Sequence, residues 1–362
     1  MTQSAIPYLF MRGGTSRGPY FRREDLPDDR TALTEVLLDV IGAGHHLNID
    51  GIGGGNAVTT KVAMLSKSQR DDADVDYFFA QVAVEARQVD FKPTCGNILV
   101  GVGPAAIEMG LVPASDDVTH IRIHAVNTGA LVEAIVQTPG GVVSYAGDTT
   151  IDGVPGHAAP VGVNFLNVVG TSCGALLPSG NLIDRIDGIE VSCLDVAMPM
   201  VIARAQDFGL TGYETPVELD ANRDFFARLE AIRLKAGVLM GMGDVAKSVT
   251  PKFGILTPPR QGGAIAARYF MPWTCHPSLA VTGSQCVAAC TLMPGTVADG
   301  MGQIPLGTPA LMRIEHPMGL IEVTVDYDNR PEGFVFKSAG LVRTARLIAR
   351  GEVLVPVRHA GI

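Results

Sequence analysis

Nowhere in the 362 residues do Lys and Arg gather into a block, and acidic side chains outnumber basic ones by 37 to 28, for a formal charge of −9. Nucleic acid binding draws on a basic stripe that releases counterions, so no nucleic acid partner is expected. Charge is scarce altogether, at 18% of residues against 47% hydrophobic, which speaks against disordered tails and coiled coils. The six cysteines, at 95, 173, 193, 275, 286 and 290, contain no Cys-x-x-Cys pair, so neither a zinc knuckle nor a disulfide frame is indicated. The run from His276 to Ala298 is free of Asp, Glu, Lys and Arg, yet His276, Pro277, Gln285 and Pro294 make it too polar for a membrane span. The start, MTQSAIPYLFMRGG, lacks the charged head and long apolar core of a secretory signal, and the expected location is the cytoplasm. Gly51 to Asn56 does not spell G-x-G-x-x-G, and G-x-x-x-x-G-K-[ST] is absent, so nucleotide phosphate binding is not supported.

What is present suits a chain of about two domains. The 42 Gly and 23 Pro indicate many tight turns. Strand-like runs dominate: Val58 to Leu65, Val75 to Val84, Val118 to Val126, Leu131 to Thr138, Ile189 to Val196, Lys252 to Leu256 and Ile321 to Tyr327. Amphipathic helices are expected at Arg30 to Ile41 and at Asn222 to Lys235, the latter with Arg228, Glu230 and Arg233 opposite its apolar stripe. Two further segments, Gly96 to Gly110 and Ser284 to Met293, are apolar or small all round. A helix without a polar face must be wrapped by protein, and one such helix in each half suggests a duplicated architecture.

Two residues stand out chemically. Thr94-Cys95-Gly96-Asn97 opens the first enclosed helix and sets a thiol beside free N–H groups, a position that favours thiolate and binds anions. Lys61, in the strand Thr59 to Leu65, is the other, because buried lysine is rare and a desolvated amine can take a proton from carbon. At an edge it would instead be a solvated surface lysine. Met11 to Gly18, Gly170 to Gly174 and Thr282 to Ser284 combine small residues with hydroxyls, and Arg12 and Arg17 add guanidinium groups. Such nests in an acidic protein point to a small polycarboxylate. His120, Arg122 and His124 alternate on one strand with no third ligand nearby, and no metal is expected.

Taken together, MRGGTSRG, DGIGGG followed by TTKVAML, DVDYFFAQV, CGNILVGVGPAAIEMGL, IDGVPG, LLPSGN and HPMG resemble the PrpF family of cofactor-independent isomerases over nearly the whole chain. The resemblance implies an α+β, diaminopimelate epimerase-like fold. Two pseudo-symmetric domains would each wrap a mainly antiparallel sheet around a central helix, with the active site between the helix N-termini. The expected division is 1–182 and 183–347, with a last strand, 348–362, returning to the first domain.

The resemblance also implies a small tricarboxylate substrate and no cofactor; no membrane partner is expected, and a homodimer is one assembly open to the chain. Lys61 and Cys95 fall on the family's acid/base pair. Ser16, Arg17, Thr60, Thr171, Ser172, Lys252 and Ser284, with the N–H groups of Gly96, Asn97 and Gly283, are the implied carboxylate contacts. Gly170-Thr171-Ser172-Cys173-Gly174-Ala175 sides with enzymes acting on 4-oxalomesaconate, a product of aromatic ring cleavage, rather than on 2-methylaconitate, aconitate or 3-methylitaconate. Arg17 and Thr94 depart from the family's usual Lys and Asn while keeping charge or polarity. A racemase of this fold would need a second thiol at the start of the second helix, where Ser284 and Gln285 stand instead. A non-catalytic carboxylate-binding protein would need neither Lys61 nor Cys95.

Overall fold

Alternation of burial sets the strands. In Asp117–Ala125, Thr119, Ile121, Ile123 and Ala125 are buried while His120 and Arg122 face solvent. The computed structural model describes residues 3–151, 153–271, 273–330 and 333–356. Two compact units emerge, Met1–Phe165 with Val342–Ile362, and Leu166–Leu341. The first begins β1 (Gln3–Gly13), β2 (Ser16–Arg22), α1 (Arg30–Ile41), β3 (Lys61–Lys67), β4 (Val75–Ala83) and β5 (Gln88–Asp90). It continues α2 (Gly96–Val100), α3 (Val102–Glu108), β6 (Asp117–Ala125), β7 (Ala130–Thr138) and β8 (Pro160–Leu166). The second holds β9 (Asp184–Ile186), β10 (Ile189–Asp195), β11 (Pro199–Arg204), α4 (Pro216–Ala221), α5 (Arg223–Leu239) and β12 (Lys252–Thr257). Then follow β13 (Ile265–Phe270), α6 (Val281–Leu292), β14 (Ala310–His316) and β15 (Gly319–Arg330), and β16 (Gly333–Pro356) carries the chain back into the first unit.

The pairing pattern shows the duplication that the side chains conceal. In the first unit β1·β2 is antiparallel, β2·β3 parallel, β3·β4 antiparallel, β4·β6 parallel and β6·β7 antiparallel. The second repeats it with β10·β11, β11·β12, β12·β13, β13·β14 and β14·β15 in the same alternation. A parallel pair needs a long crossover. The first crossover is α1 in one unit and α4–α5 in the other; the second is α2–α3 and α6. The strands of each unit are therefore mainly antiparallel with a helix enclosed against them, the expected fold.

Both enclosed helices are buried as their composition demands, Ile98 to Val100 and Val102 to Ala106 in one, Gly283 to Leu292 in the other. The first is broken at Gly101, which puts Pro104 in the opening turn of α3, where a missing N–H costs no intrahelical bond. The second starts at Val281, three residues before Ser284, so Thr282 and Gly283 belong to its first turn.

The remaining differences have packing causes. Arg233, expected on the polar face of its helix, is fully buried, chelated by Glu230 at 2.7 Å through both Nε and Nη2. The unit boundary falls at 165 rather than 182, because Gly170 N–H donates to Asp195 O at 2.8 Å and Asp195 N–H to Leu176 O at 3.0 Å, tying 166–182 to β10. The returning strand is longer than expected: β1 pairs with β16 from Gln3↔Pro356 to Gly13↔Ala345. Residues 357–362 of that expected strand lie outside the described residues.

Glu315, just before the HPMG turn, provides a stability test. Its buried carboxylate accepts N–H bonds from Arg260 at 2.9 Å, Gly263 at 3.0 Å and Gln261, and one from the Tyr213 hydroxyl at 3.3 Å. Burial pushes its pKa up, but these donors outweigh it and hold the carboxyl below the usual glutamate range. A depressed folded pKa gives stability that is full above the unfolded value, about 4.3, and lost as pH falls through the folded one. The advantage of wild type over Glu315→Gln in urea unfolding should thus shrink from pH 6 to pH 3. An equal advantage at both pH values would contradict this.

Candidate active site

Glycines in the first hairpin bring the three signature segments together. A Cβ on Gly13 would lie 2.3 Å from the Asn97 carbonyl oxygen, on Gly14 2.2 Å from Asn97 Oδ1, and on Gly18 1.8 Å from the Lys61 carbonyl oxygen. Without side chains at these positions, the β1–β2 hairpin seats its backbone directly against Cys95-Gly96-Asn97 and Thr60-Lys61. Gly54 of the glycine-rich loop in turn leaves room for Arg17, whose Nη2 would meet a Cβ there at 2.7 Å.

Lys61 opens β3. Its Nζ donates to Gln81 Oε1 at 2.7 Å and lies 5.4 Å from the centre of the Phe79 ring. The register pairs Lys61 with Gln81, Ala63 with Phe79 and Leu65 with Tyr77, so these residues share one sheet face. That face packs on α2 and α3, since Ala63, Leu65, Tyr77 and Phe79 cluster with Ile98, Leu99 and Val102. Lys61 is partly buried at the end of this packed row.

Cys95, half-buried, caps α2 and accepts Leu99 N–H on its carbonyl at 2.9 Å. The N–H groups of Gly96, Asn97 and Ile98 form the first turn, where helices have no internal acceptor to offer. Two buried phenols fix this turn, Tyr20 donating to Ile98 O at 2.6 Å and Tyr77 to Cys95 O at 3.4 Å. Burial above all, then the neighbouring Cys95, pushes both phenols well above their usual pKa, so they stay protonated as donors. Space is open beside Gly96, where an added Cβ would meet nothing within 4 Å. Asn97 turns the other way, its Oδ1 accepting Thr15 N–H at 3.4 Å.

The other expected contacts divide. Arg17 stacks over Phe10 at 5.5 Å and makes no ion pair among the described residues, so its charge is available to a carboxylate. Ser16 is buried, and its hydroxyl has no protein partner among the described residues. Thr60 is different: 1% exposed, it donates to Val82 O at 3.0 Å and accepts from Gln81 Nε2 at 3.2 Å. Its hydroxyl is committed inside the fold. Arg12, read as a clamp, donates instead to Gly14 O at 2.8 Å and Thr344 O at 2.9 Å.

In the second unit, the nest at Gly170 to Gly174 is filled by the protein itself. Asp195 Oδ2 accepts Ser172 N–H at 2.7 Å and Cys173 N–H at 2.6 Å, and the exposed Thr171 and Ser172 hydroxyls stand outside this bonding. Burial and then Asp195 push the Cys173 thiol up to about 11, which keeps it protonated. Gly283 lies in the opening turn of α6, close against Tyr269, where a Cβ would meet the ring at 2.6 Å. Ser284 faces inward: fully buried, it donates to Val281 O at 2.7 Å, so its hydroxyl proton is not free for a carboxylate. Cys286 sits deeper in α6, fully buried with its pKa pushed well up by burial, unsuited to a second thiol base.

Lys252 heads β12, with its pKa lowered by burial and then by Arg233, and has no acidic partner among the described residues. Arg233 holds the preceding loop through Val245 O at 3.0 Å and Ser248 O at 3.3 Å. The strand histidines are structural: His120 pairs with Glu133 at 2.9 Å, His124 with Asp76 at 3.0 Å, and Arg122 with Asp74 at 3.1 Å. Among the described residues no three His, Cys, Asp or Glu side chains are grouped to hold a metal. No helix of the described residues is long and apolar enough to cross a membrane.

Gln81 was missed from the sequence. It lies in the DVDYFFAQV run, and the alternation of Tyr77, Phe79 and Gln81 on one face is the signal that would have placed it beside Lys61.

The chain is 48% identical to the 4-oxalomesaconate tautomerase of Pseudomonas putida (strain KT2440) over 355 residues, covering 98% of this chain and 97% of that protein. It is likewise 48% identical to the (4E)-oxalomesaconate Delta-isomerase of Novosphingobium sp. (strain KA1), covering 97% and 98%. The crystal structure of a methylitaconate-delta-isomerase superposes with a TM-score of 0.89 at 35% identity, covering 99% of this chain and 97% of that one. The model of the PrpF protein family matches residues 3–356, and the chain belongs to that family.

Proposed function

We propose that the chain is an isomerase of 4-oxalomesaconate, moving a proton between carbon and oxygen or along an allylic system without a cofactor. The observation that carries this is the Lys61 amine, held by a neutral acceptor on the sheet face that packs against the helix headed by Cys95. In this reading Lys61 in its neutral form takes the proton from the CH₂ acidified by the adjacent ketone, and the electron pair spreads into a dienolate. The free N–H groups of Gly96 and Asn97 suit the developing oxyanion. Cys95 returns a proton to the far end of the dienolate or holds that end.

In the first unit Arg17, a cation with no acidic partner among the described residues, suits a substrate carboxylate, with Ser16 offering a hydroxyl; in the second unit Lys252, Thr171 and Ser172 offer the same chemistry. Thr60 and Ser284 drop out as direct contacts through their hydroxyls, for the reasons given by their hydrogen bonds. The net charge of −9 supports a small-molecule substrate with no nucleic acid partner; the cytoplasm remains the expected setting, and a homodimer one assembly open to the chain.

Substrate choice rests on the loop 170–175. The family's methylitaconate and methylaconitate isomerases tend to carry a lysine where Ala175 stands, so this loop differs from theirs by one cation and by room, which makes it the expected selector. The test is a spectroscopic assay of 4-oxalomesaconate, 3-methylitaconate, 2-methylaconitate and aconitate in buffer containing chelator, comparing kcat/KM. We expect at least about tenfold preference for 4-oxalomesaconate. The same preference for another of these acids would overturn the substrate and leave the isomerase reading standing. Loss of turnover restored by added metal would overturn the cofactor-free mechanism.

A further inference from the structure

We infer that Gln81 is the positioning residue of the Lys61 amine, a neutral acceptor whose orientation the fold locks. The inference rests on Lys61 acting as the base.

The lock is a matter of donors and acceptors. Gln81 Nε2 lies 3.2 Å from each of three oxygens, Ala57 O, Thr60 O and Thr60 Oγ1. The hydroxyl proton of Thr60 is already given to Val82 O at 3.0 Å, so all three oxygens present lone pairs. A flipped amide would face them with its own oxygen and lose every bond. Gln81 Oε1 therefore faces Lys61 Nζ, at 2.7 Å. Thr60 thus acts at one remove from the substrate, as the group that fixes the amide.

Charge explains why an amide suits this place. A carboxylate at the same position would pin the amine equally well but would favour its protonated form, which cannot accept a proton. Gln81 accepts one N–H of the amine and leaves the single lone pair of the neutral form pointing elsewhere. The register adds a second role, since Gln81 pairs with Lys61 on one side and Asp90 on the other. It separates the amine from that carboxylate by two strand spacings, about 9–10 Å. The other charged or titratable groups on β3 and the elements packed against it are Lys67 on β3, Arg17, Tyr20 and Arg22 on β2, Arg23, Glu24 and Asp25 in the turn that follows, Asp76 and Tyr77 on β4, Cys95 at the head of α2 and Glu108 on α3.

The test compares Gln81→Leu and Gln81→Glu with Lys61→Ala in the 4-oxalomesaconate assay. Gln81→Leu should lower kcat by about 10- to 100-fold with KM changed less than about threefold, the mark of a misplaced base. Gln81→Glu should move the rise of kcat/KM with pH upward by about one pH unit or more, a shift that a merely structural role would not cause. Wild-type turnover in Gln81→Leu together with an inactive Lys61→Ala would overturn the positioning role and leave Lys61 as base. Wild-type turnover in Lys61→Ala would overturn the base, and the positioning role with it. Should Gln81→Leu fail to fold, an unshifted profile in Gln81→Glu overturns the inference by itself.

Discussion

Replacing Lys61 with alanine is expected to lower turnover of 4-oxalomesaconate by a hundredfold or more, the order associated with loss of a general base. The side chain contributes little to folding: it is partly buried, and its contacts are one hydrogen bond to Gln81 and a place 5.4 Å from the centre of the Phe79 ring. A single partly buried hydrogen bond of this kind contributes about 0.5–1.5 kcal/mol net, so the variant should remain folded and its loss should appear in kcat rather than in Tm. Substrate binding should survive, because the candidate carboxylate contact of the same unit, Arg17, lies on another strand. Arginine at position 61 should not restore activity, since a guanidinium stays protonated and cannot accept the proton. Turnover within threefold of wild type in Lys61→Ala would remove the base from the mechanism.

Much of this site was legible in the sequence because it depends on local chemistry. The helix head at Cys95 could be read from Cys-Gly-Asn before an apolar run, and α1 was bounded by its periodicity at Arg30–Ile41. Enclosure of α6 followed from the lack of a polar face. What stayed hidden was long-range. The nest at 170–174 has the composition of an anion site, but its anion is Asp195, 22 residues from Cys173 in sequence. Arg233 has the spacing of a surface residue, and only the loop carbonyls at 245 and 248 reveal that it is buried. Thr60 could not be told from a ligand contact without knowing that Val82 O and Gln81 already use its hydroxyl. In each case a polar residue's partner came from a distant strand or loop, which no local pattern encodes.

The second large effect concerns Gly18, a residue that touches no substrate in this reading. Gly18→Ala would place a methyl carbon, fixed directly to the backbone of β2, 1.8 Å from the Lys61 carbonyl oxygen, a backbone atom of β3, so no flexible side chain can swing aside. The strands would have to part by about 1 Å or more, and displacement on that scale at a catalytic group costs about a hundredfold in rate. Overpacking of this kind also destabilises, typically by about 1–3 kcal/mol. Gly96→Ala is the matched control, because a methyl there meets nothing within 4 Å and the glycine sits in the first turn of a helix. Gly18→Ala is therefore expected to lose both activity and thermal stability, whereas Gly96→Ala should keep its stability and change only how substrate approaches Cys95. Measuring Tm and kcat/KM for the pair decides the matter: a fully active, fully stable Gly18→Ala would mean that the close seat of β2 against Lys61 is not what positions the base.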